Sequence, residues 1–314
     1  MAIDLKKVTK GPITHARKVL AYGADGIGKT RFAAGAPDPL FIDVNKGSLD
    51  YNVRRVMPES WDESMEWLTA IEAAAVPCET VVIDSLTDLE LMLHASLFQN
   101  TTIDEYKGGY KRGDTLALTK WREMLMQLER IWFKGKNIVL IAHMNVRKFD
   151  DPMGPGFDRF EVAMRPQVAG LFRQWCSYVL FAREDVQTQP VGKGNDVKLK
   201  ATTTNVRKLY TRRTPAYDAK SRGTTLFPEN LLLSWEAFNK AVLDDAARVV
   251  EMQAEIETML AEIGDDKLTA SVHEWVRGSP ERLVEARNRV SARLVEKREK
   301  AAAPATTQAA AASV

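Results

Sequence analysis

The sequence predicts an α/β fold: a mostly parallel central sheet with helices on both faces, followed by a small helical region. Three observations lead there. Apolar, β-branched runs alternate with amphipathic stretches over the first two thirds of the chain, the pattern of strand–helix–strand units. The first run leads directly into Gly23-Ala24-Asp25-Gly26-Ile27-Gly28-Lys29-Thr30, which fits G-x-x-x-x-G-K-[ST], the phosphate-binding loop. Two later runs close on a carboxylate, Asp43 and Asp84, and ligands of open parallel sheets sit at the carboxyl ends of strands.

Taken in order, Lys18 to Tyr22 reads as a buried strand and Arg31 to Ala34 as the start of a helix. The loop between them needs its glycines so that the backbone can turn its N–H groups inward on phosphate oxygens. Lys29 supplies a point charge to the β and γ phosphates, Thr30 offers its hydroxyl to Mg²⁺, and the helix N-terminus favours anions. Gly23, Ala24, Asp25, Gly26, Ile27, Gly28, Lys29, Thr30 and the adjoining Arg31 form the expected nucleotide-binding set. Lys29 is expected to be exposed in the empty site. Leu40 to Asp43 is a short second strand, Trp61 to Ala75 a helix stopped by Pro77, and Thr80 to Ser85 a strand ending on Asp84, the candidate carboxylate of the Mg²⁺ shell. Leu86 to Phe98 is the next helix.

Asn100 to Asp114 is polar and glycine-bearing and predicts a mobile loop. Leu118, Trp121, Leu125, Leu128 and Trp132 recur at helical spacing, with Gly135 just beyond, and these tryptophans read as core. Asn137 to His143 is another buried strand. Asn145 to Arg165 has mixed charges and no periodicity, which predicts a long loop. Pro166 to Cys176 reads as a helix, Tyr178 to Phe181 as a strand, and Lys198 to Ala201 with Val206 to Tyr210 as a basic-edged β-ribbon.

From about Ser234 the pattern turns helical. Val249, Met252, Ile256, Met259 and Ile263 make one stripe stopped by Gly264. Ser279-Pro280-Glu281 is a helix start, with Leu283, Val290 and Leu294 following. From Lys300 the composition is that of a disordered tail. The expected organisation is a core over 1–238, a helical region over 239–300 and a tail over 301–314.

The 314 residues carry a net charge of only +2, so a nucleic-acid surface has to be local. Cys78 and Cys176 fit no metal or redox spacing and read as reduced thiols of a cytoplasmic protein. The start of the chain has no apolar leader segment, and no apolar run approaches membrane-spanning length, so no membrane partner is expected.

With these residues in view, the order of parts resembles the RecA-like ATPase core. More closely, it resembles the bacteriophage RecA-like proteins with single-strand-annealing activity, the short recombinases of the Sak group. Gly23 to Thr30, Leu40 to Asp43, Val81 to Thr87, Val139 to His143 and Lys220-Ser221-Arg222 carry the resemblance, over about Lys18 to Trp235. It implies a RecA-like P-loop NTPase core using ATP and Mg²⁺ on single-stranded DNA. It further implies a homo-oligomer, ring or filament, in the host cytoplasm, with a single-stranded-DNA-binding protein as a further partner. By carry-over, Lys29 and Thr30 bind phosphate and metal, Asp84 is the magnesium carboxylate, and His143 stands where relatives carry a polar γ-phosphate sensor. His143 has the alternative reading of a hydrogen-bonded strand end. Relatives place a glutamate, the general base, two residues after the second strand's Asp; here that position is Asn45. An amide orients water but takes no proton, so either Asp43 substitutes or hydrolysis is slow. Lys220 and Arg222 would reach the γ-phosphate held by a neighbouring subunit, both projecting from one side of an extended strand. Between Lys200 and Gly223 seven cations face only Asp218, a local excess of six. A solvated basic face is the plain alternative, and contact with a DNA backbone is a second one.

Two segments join cations to an aromatic ring, the combination that follows a single strand's backbone and stacks on its bases. They are Lys107, Tyr110, Lys111 and Arg112, and Arg147, Lys148 and Phe149. Three functions remain open: an ATPase that coats or anneals single strands, a non-catalytic nucleotide switch that organises an annealing oligomer, and an NTPase of another kind, such as a motor subunit or a kinase.

Overall fold

A computed structural model of the chain describes residues 15–99, 101–108, 111–151, 154–191, 198–222, 226–277 and 282–302. By internal contacts it divides into two units. One comprises 1–221 with 229–238, and the other 222–228 with 239–314.

The first unit is built on a sheet of nine strands among the described residues: β1 (Lys18–Gly23), β2 (Pro39–Asp43), β3 (Arg54–Val56), β4 (Thr80–Asp84), β5 (Asn137–Phe149), β6 (Phe157–Val162), β7 (Tyr178–Val191), β8 (Lys198–Tyr210) and β9 (Asn230–Leu232). Their order is β3-β2-β4-β5-β1-β7-β8-β9, with β6 paired to β5. The pairs from β3 through β7 are parallel, and β5–β6, β7–β8 and β8–β9 are antiparallel. Every residue of β1 and β4 is buried. This is why these strands read as unbroken apolar runs, as strands covered on both faces do.

The helices are α1 (Lys29–Ala34), α2 (Trp61–Glu72), α3 (Leu86–Leu97), α4 (Arg112–Phe133) and α5 (Pro166–Trp175). Ser60 and Ser85 cap α2 and α3, each hydroxyl accepting from the backbone N–H three residues on. Trp121 of α4 is fully buried and meets Trp61 and Phe172 edge-on, with ring centroids 4.9 and 5.2 Å away. The tryptophans thus tie α2, α4 and α5 into the core. The second unit holds the length of α6 (Trp235–Ile263) beyond Phe238, together with α7 (Asp266–Val276) and α8 (Leu283–Ala302). Met252, Ile256 and Leu260 pack there with Val272, Leu283, Ala286 and Val290.

Several expectations are corrected. The long loop over 145–165 is a hairpin, because β5 runs on to Phe149 and returns as β6, with Phe149 opposite Phe157. The basic ribbon is one continuous strand, β8, paired along a β7 that is ten residues longer than expected. The loop over 100–114 contains a 3₁₀ turn at Tyr106–Gly108 and the first turn of α4. The strands β3 and β9 and the helix α7 were not foreseen. The helix start Ser279-Pro280-Glu281 and the tail from 303 lie outside the described residues.

One feature of the core makes stability depend on pH. Glu90 of α3 is buried, and both its oxygens accept the Arg165 backbone N–H at 3.2 Å. Burial dominates and pushes its pKa from 4.5 up to about 7. The folded state therefore holds this proton more tightly than the unfolded chain. Stability is lost as pH rises between about 4.5 and 7, and the whole loss is on the order of 3 kcal/mol. Glu90→Gln keeps an acceptor for Arg165 and removes the charge. Urea unfolding at pH 5 and pH 8 should show the wild type weaker at pH 8 and the variant nearly level. A wild type equally stable at both would contradict this.

Candidate nucleotide site

The register of the sheet gathers the site at one end. Gly23 lies beside His143 of β5 and Ala182 of β7, and Asp43 lies beside Asp84. A methyl group on Gly23 would stand 2.3 Å from the Ala182 carbonyl oxygen, so only glycine lets β1 pair with β7 there. Gly26 and Gly28 take φ of +70° and +109°, which glycine adopts without strain.

Lys29 is buried, 6% exposed, contrary to the sequence expectation. Its ammonium curls back to donate to the Gly23 and Ala24 carbonyls at 2.9 and 2.8 Å. Desolvation lowers its pKa, opposed by the nearby Asp25, Asp84 and Asp88 carboxylates. A cation held away from water among carbonyls is preorganised for an anion.

The Thr30 hydroxyl donates to Asp84 Oδ2 at 2.7 Å. Asp84 is itself buried, and burial raises its pKa against the Thr30 hydrogen bond. The fourth-strand carboxylate thus holds the very hydroxyl that the loop offers to a metal. The Asn45 amide nitrogen is 3.5 Å from Asp84 Oδ1, and its oxygen accepts from the Gly47 N–H at 2.9 Å. Asp43 does not face this space as a free base. It is 1% exposed, and its oxygens accept from the Gly47 N–H, the Ser48 N–H and the Ser48 hydroxyl at 3.0, 3.0 and 2.6 Å. Asp43 shapes the 43–48 turn, which corrects the expectation that it could take over as general base.

His143 Nδ1 hydrogen-bonds Asp25 of the phosphate loop, and Nε2 stands 3.5 Å from Asp88 Oδ2 of α3. The Asp88 contact raises the imidazole's pKa above its usual value, and the same contact holds Asp88 low. His143 therefore connects the phosphate loop, α3 and the strand that continues into the β5–β6 hairpin. Arg31 lies in α1, just past the loop.

The other predicted residues are placed elsewhere. Lys220 is not on an extended strand. It makes an isolated bridge to Val179, and its ammonium donates to the Arg173, Gln174 and Cys176 carbonyls at 3.1, 3.1 and 2.7 Å, capping α5. Arg222 belongs to the second unit. Lys107 lies in the 3₁₀ turn with its carbonyl accepting from Arg112, Lys111 precedes α4 with a φ of +58°, and Tyr110 lies outside the described residues. Arg147, Lys148 and Phe149 lie on the outer part of β5, not on a loop; Phe149 packs on Phe157 at 5.3 Å.

Sequence reasoning read part of a second arm, the ribbon over Lys198 to Tyr210, and missed that it pairs with an extended β7. On the opposite side of β1 from β5, β7 continues past Ala182 and pairs with β8 as a long hairpin. A cleft of about 410 Å³ beside the phosphate loop is lined by Ala24, Asp25, Ile27, Met144, Ala182 and Arg183, from the loop and the roots of both arms. The sequence signal of this arm was the basic-edged ribbon itself.

A mostly parallel sheet carrying a phosphate loop at the end of β1, with Thr30 hydrogen-bonded to the carboxylate ending β4, defines a P-loop NTPase domain. Residues 15–223, well over half of the chain, match the family described as AAA domain, and the chain belongs to that family. No curated protein matches it. No helix among the described residues is long and apolar enough to cross a membrane.

Proposed function

We propose that this chain is an ATP-binding, slowly hydrolysing protein of bacteriophage recombination that binds and anneals single-stranded DNA as a homo-oligomer. The observation that carries the nucleotide part is the contact of Thr30 with Asp84 beside the buried Lys29. Those residues fit Mg²⁺–ATP: Lys29 for the β and γ phosphates, Thr30 for the metal, and Asp84 behind Thr30. Mg²⁺, when bound, neutralises charge developing on the phosphates. Among the described residues no cluster of three or more His, Cys, Asp or Glu side chains could hold a metal by itself, which suits an ion carried in on phosphate.

Asn45 supports slow hydrolysis. Its amide, next to Asp84, can align a water and cannot deprotonate it. The same feature favours the second reading, a nucleotide switch without turnover. His143 supplies the coupling in either case. A γ-phosphate would compete with Asp25 for the imidazole, and His143 lies on the strand that carries Arg147, Lys148 and Phe149 outward. In an oligomer, Arg222 remains the candidate to complete a neighbour's site, now without Lys220 as its pair.

The test is anisotropy of labelled single-stranded DNA with ATP, with ADP and without nucleotide, run together with phosphate release. DNA should bind more tightly with ATP, and affinity should fall steeply with salt. Replacing Lys111, Arg112, Arg147 and Lys148 together by Ala should remove most of the binding. Salt-independent binding, or normal binding by that variant, would refute the DNA assignment. Phosphate release that DNA stimulates would select the ATPase over the switch.

A further inference from the structure

Two residues from outside the motif approach the phosphate loop. Gly28 is approached from β8 and the residue after β9. A methyl group on Gly28 would stand 3.5 Å from a guanidinium nitrogen of Arg207 and 3.3 Å from Cδ2 of Leu233. The two are tied to each other, since the Leu233 N–H donates to the Arg207 carbonyl at 3.0 Å. The Arg207 side chain is 47% exposed, and its ion pair with Glu184, the residue facing it on β7, is loose at 3.9 Å. A guanidinium at the rim of a loop that already contains the Lys29 ammonium adds repulsion unless an anion arrives between them. Beside it, Leu233 offers an apolar surface. A cation next to an apolar side chain is the combination that takes a nucleotide across its phosphate–sugar junction.

We propose that Arg207 and Leu233 form the outer wall of the nucleotide site, Arg207 taking a phosphate oxygen and Leu233 packing on the nucleoside. On binding, Arg207 exchanges its loose contact with Glu184 for the phosphate, in the same subunit that holds the loop. This rests on the phosphate-loop reading and adds two residues to it. The sequence marked Arg207 only as one of seven cations in a basic run.

The experiment measures equilibrium binding of ATP, ADP and inorganic tripolyphosphate to the wild type and to Arg207→Gln, Arg207→Lys and Leu233→Ala. Thermal melting of each ligand-free protein checks the fold, and Arg207→Gln keeps the chain length while removing the charge. Arg207→Gln should weaken all three ligands about tenfold or more, the scale of a charged hydrogen bond. Arg207→Lys should recover part of that loss. Leu233→Ala should weaken ATP and ADP severalfold and leave tripolyphosphate unchanged. A wild type that binds no ATP overturns the phosphate-loop reading and this inference together. A wild type that binds ATP, with Arg207→Gln matching it within twofold, overturns the role of Arg207 alone. Equal losses of tripolyphosphate and ATP in Leu233→Ala overturn the nucleoside contact.

Discussion

Lys29→Ala should bind ATP roughly thirtyfold more weakly than the wild type, from the loss of a charge-assisted phosphate contact of about 2 kcal/mol. The effect has two parts. The ammonium is already inside the loop, donating to the Gly23 and Ala24 carbonyls. Nucleotide exchanges those acceptors for phosphate oxygens, and the variant has nothing to exchange. The ligand-free variant should also melt slightly below the wild type, because two loop carbonyls lose a donor. A lysine waving in solvent would have left that melting point unmoved. Calorimetric titration with ATP and a thermal melt of the ligand-free protein separate the two parts. Unchanged ATP affinity would remove Lys29 from the site.

Asn45→Glu should raise ATP turnover about 10²–10⁴-fold, the usual worth of a positioned general base. The Asn45 amide nitrogen lies 3.5 Å from the Asp84 carboxylate. A second carboxylate beside Asp84 has its proton affinity raised by like charge, which suits a base. ATP affinity should change far less than turnover, since Asn45 is not expected to touch the phosphates. Phosphate release at saturating ATP reads the effect directly. If turnover stays at the wild-type level while ATP still binds, the missing glutamate is not what limits hydrolysis. The limiting step would then lie away from Asn45.

Much of the core was legible because its signals are local. The phosphate loop is a single run whose residue types are dictated by phosphate geometry. The strands β1, β2 and β4 and the Ile138–Ala142 stretch of β5 read as apolar because they are buried on both faces, and Asp84 stands where a strand must end before the capped helix α3. Of the two hairpin arms, the β5–β6 arm was not legible, and of the β7–β8 arm only parts of β8 were. On Asn145 to Phe149 both faces carry polar residues, so the period of two that marks a half-buried strand is lost among Arg147, Lys148 and Asp150. Only pairing with a partner strand holds such a segment extended. Burial of Lys29 was missed because exposure is the rule for lysine, and it takes the folded loop to supply the two carbonyls. Lys220 misled for the opposite reason: a Lys-x-Arg spacing fits an extended strand, but the backbone there makes one bridge, and α5 supplies the acceptors. Arg207 meets Gly28 only through the antiparallel return of β8, a contact with no local signature.

On the reading proposed above, Lys29, Thr30 and Asp84 form one site for a metal–nucleotide complex. Titration of the wild-type protein with ATP, once with Mg²⁺ and once with a chelator, tests it most directly. One ATP should bind per chain with Mg²⁺, and more weakly after chelation, because Thr30 and the Asp84 behind it then have no metal to hold. Absence of binding at millimolar ATP, or one affinity with and without Mg²⁺, would contradict it.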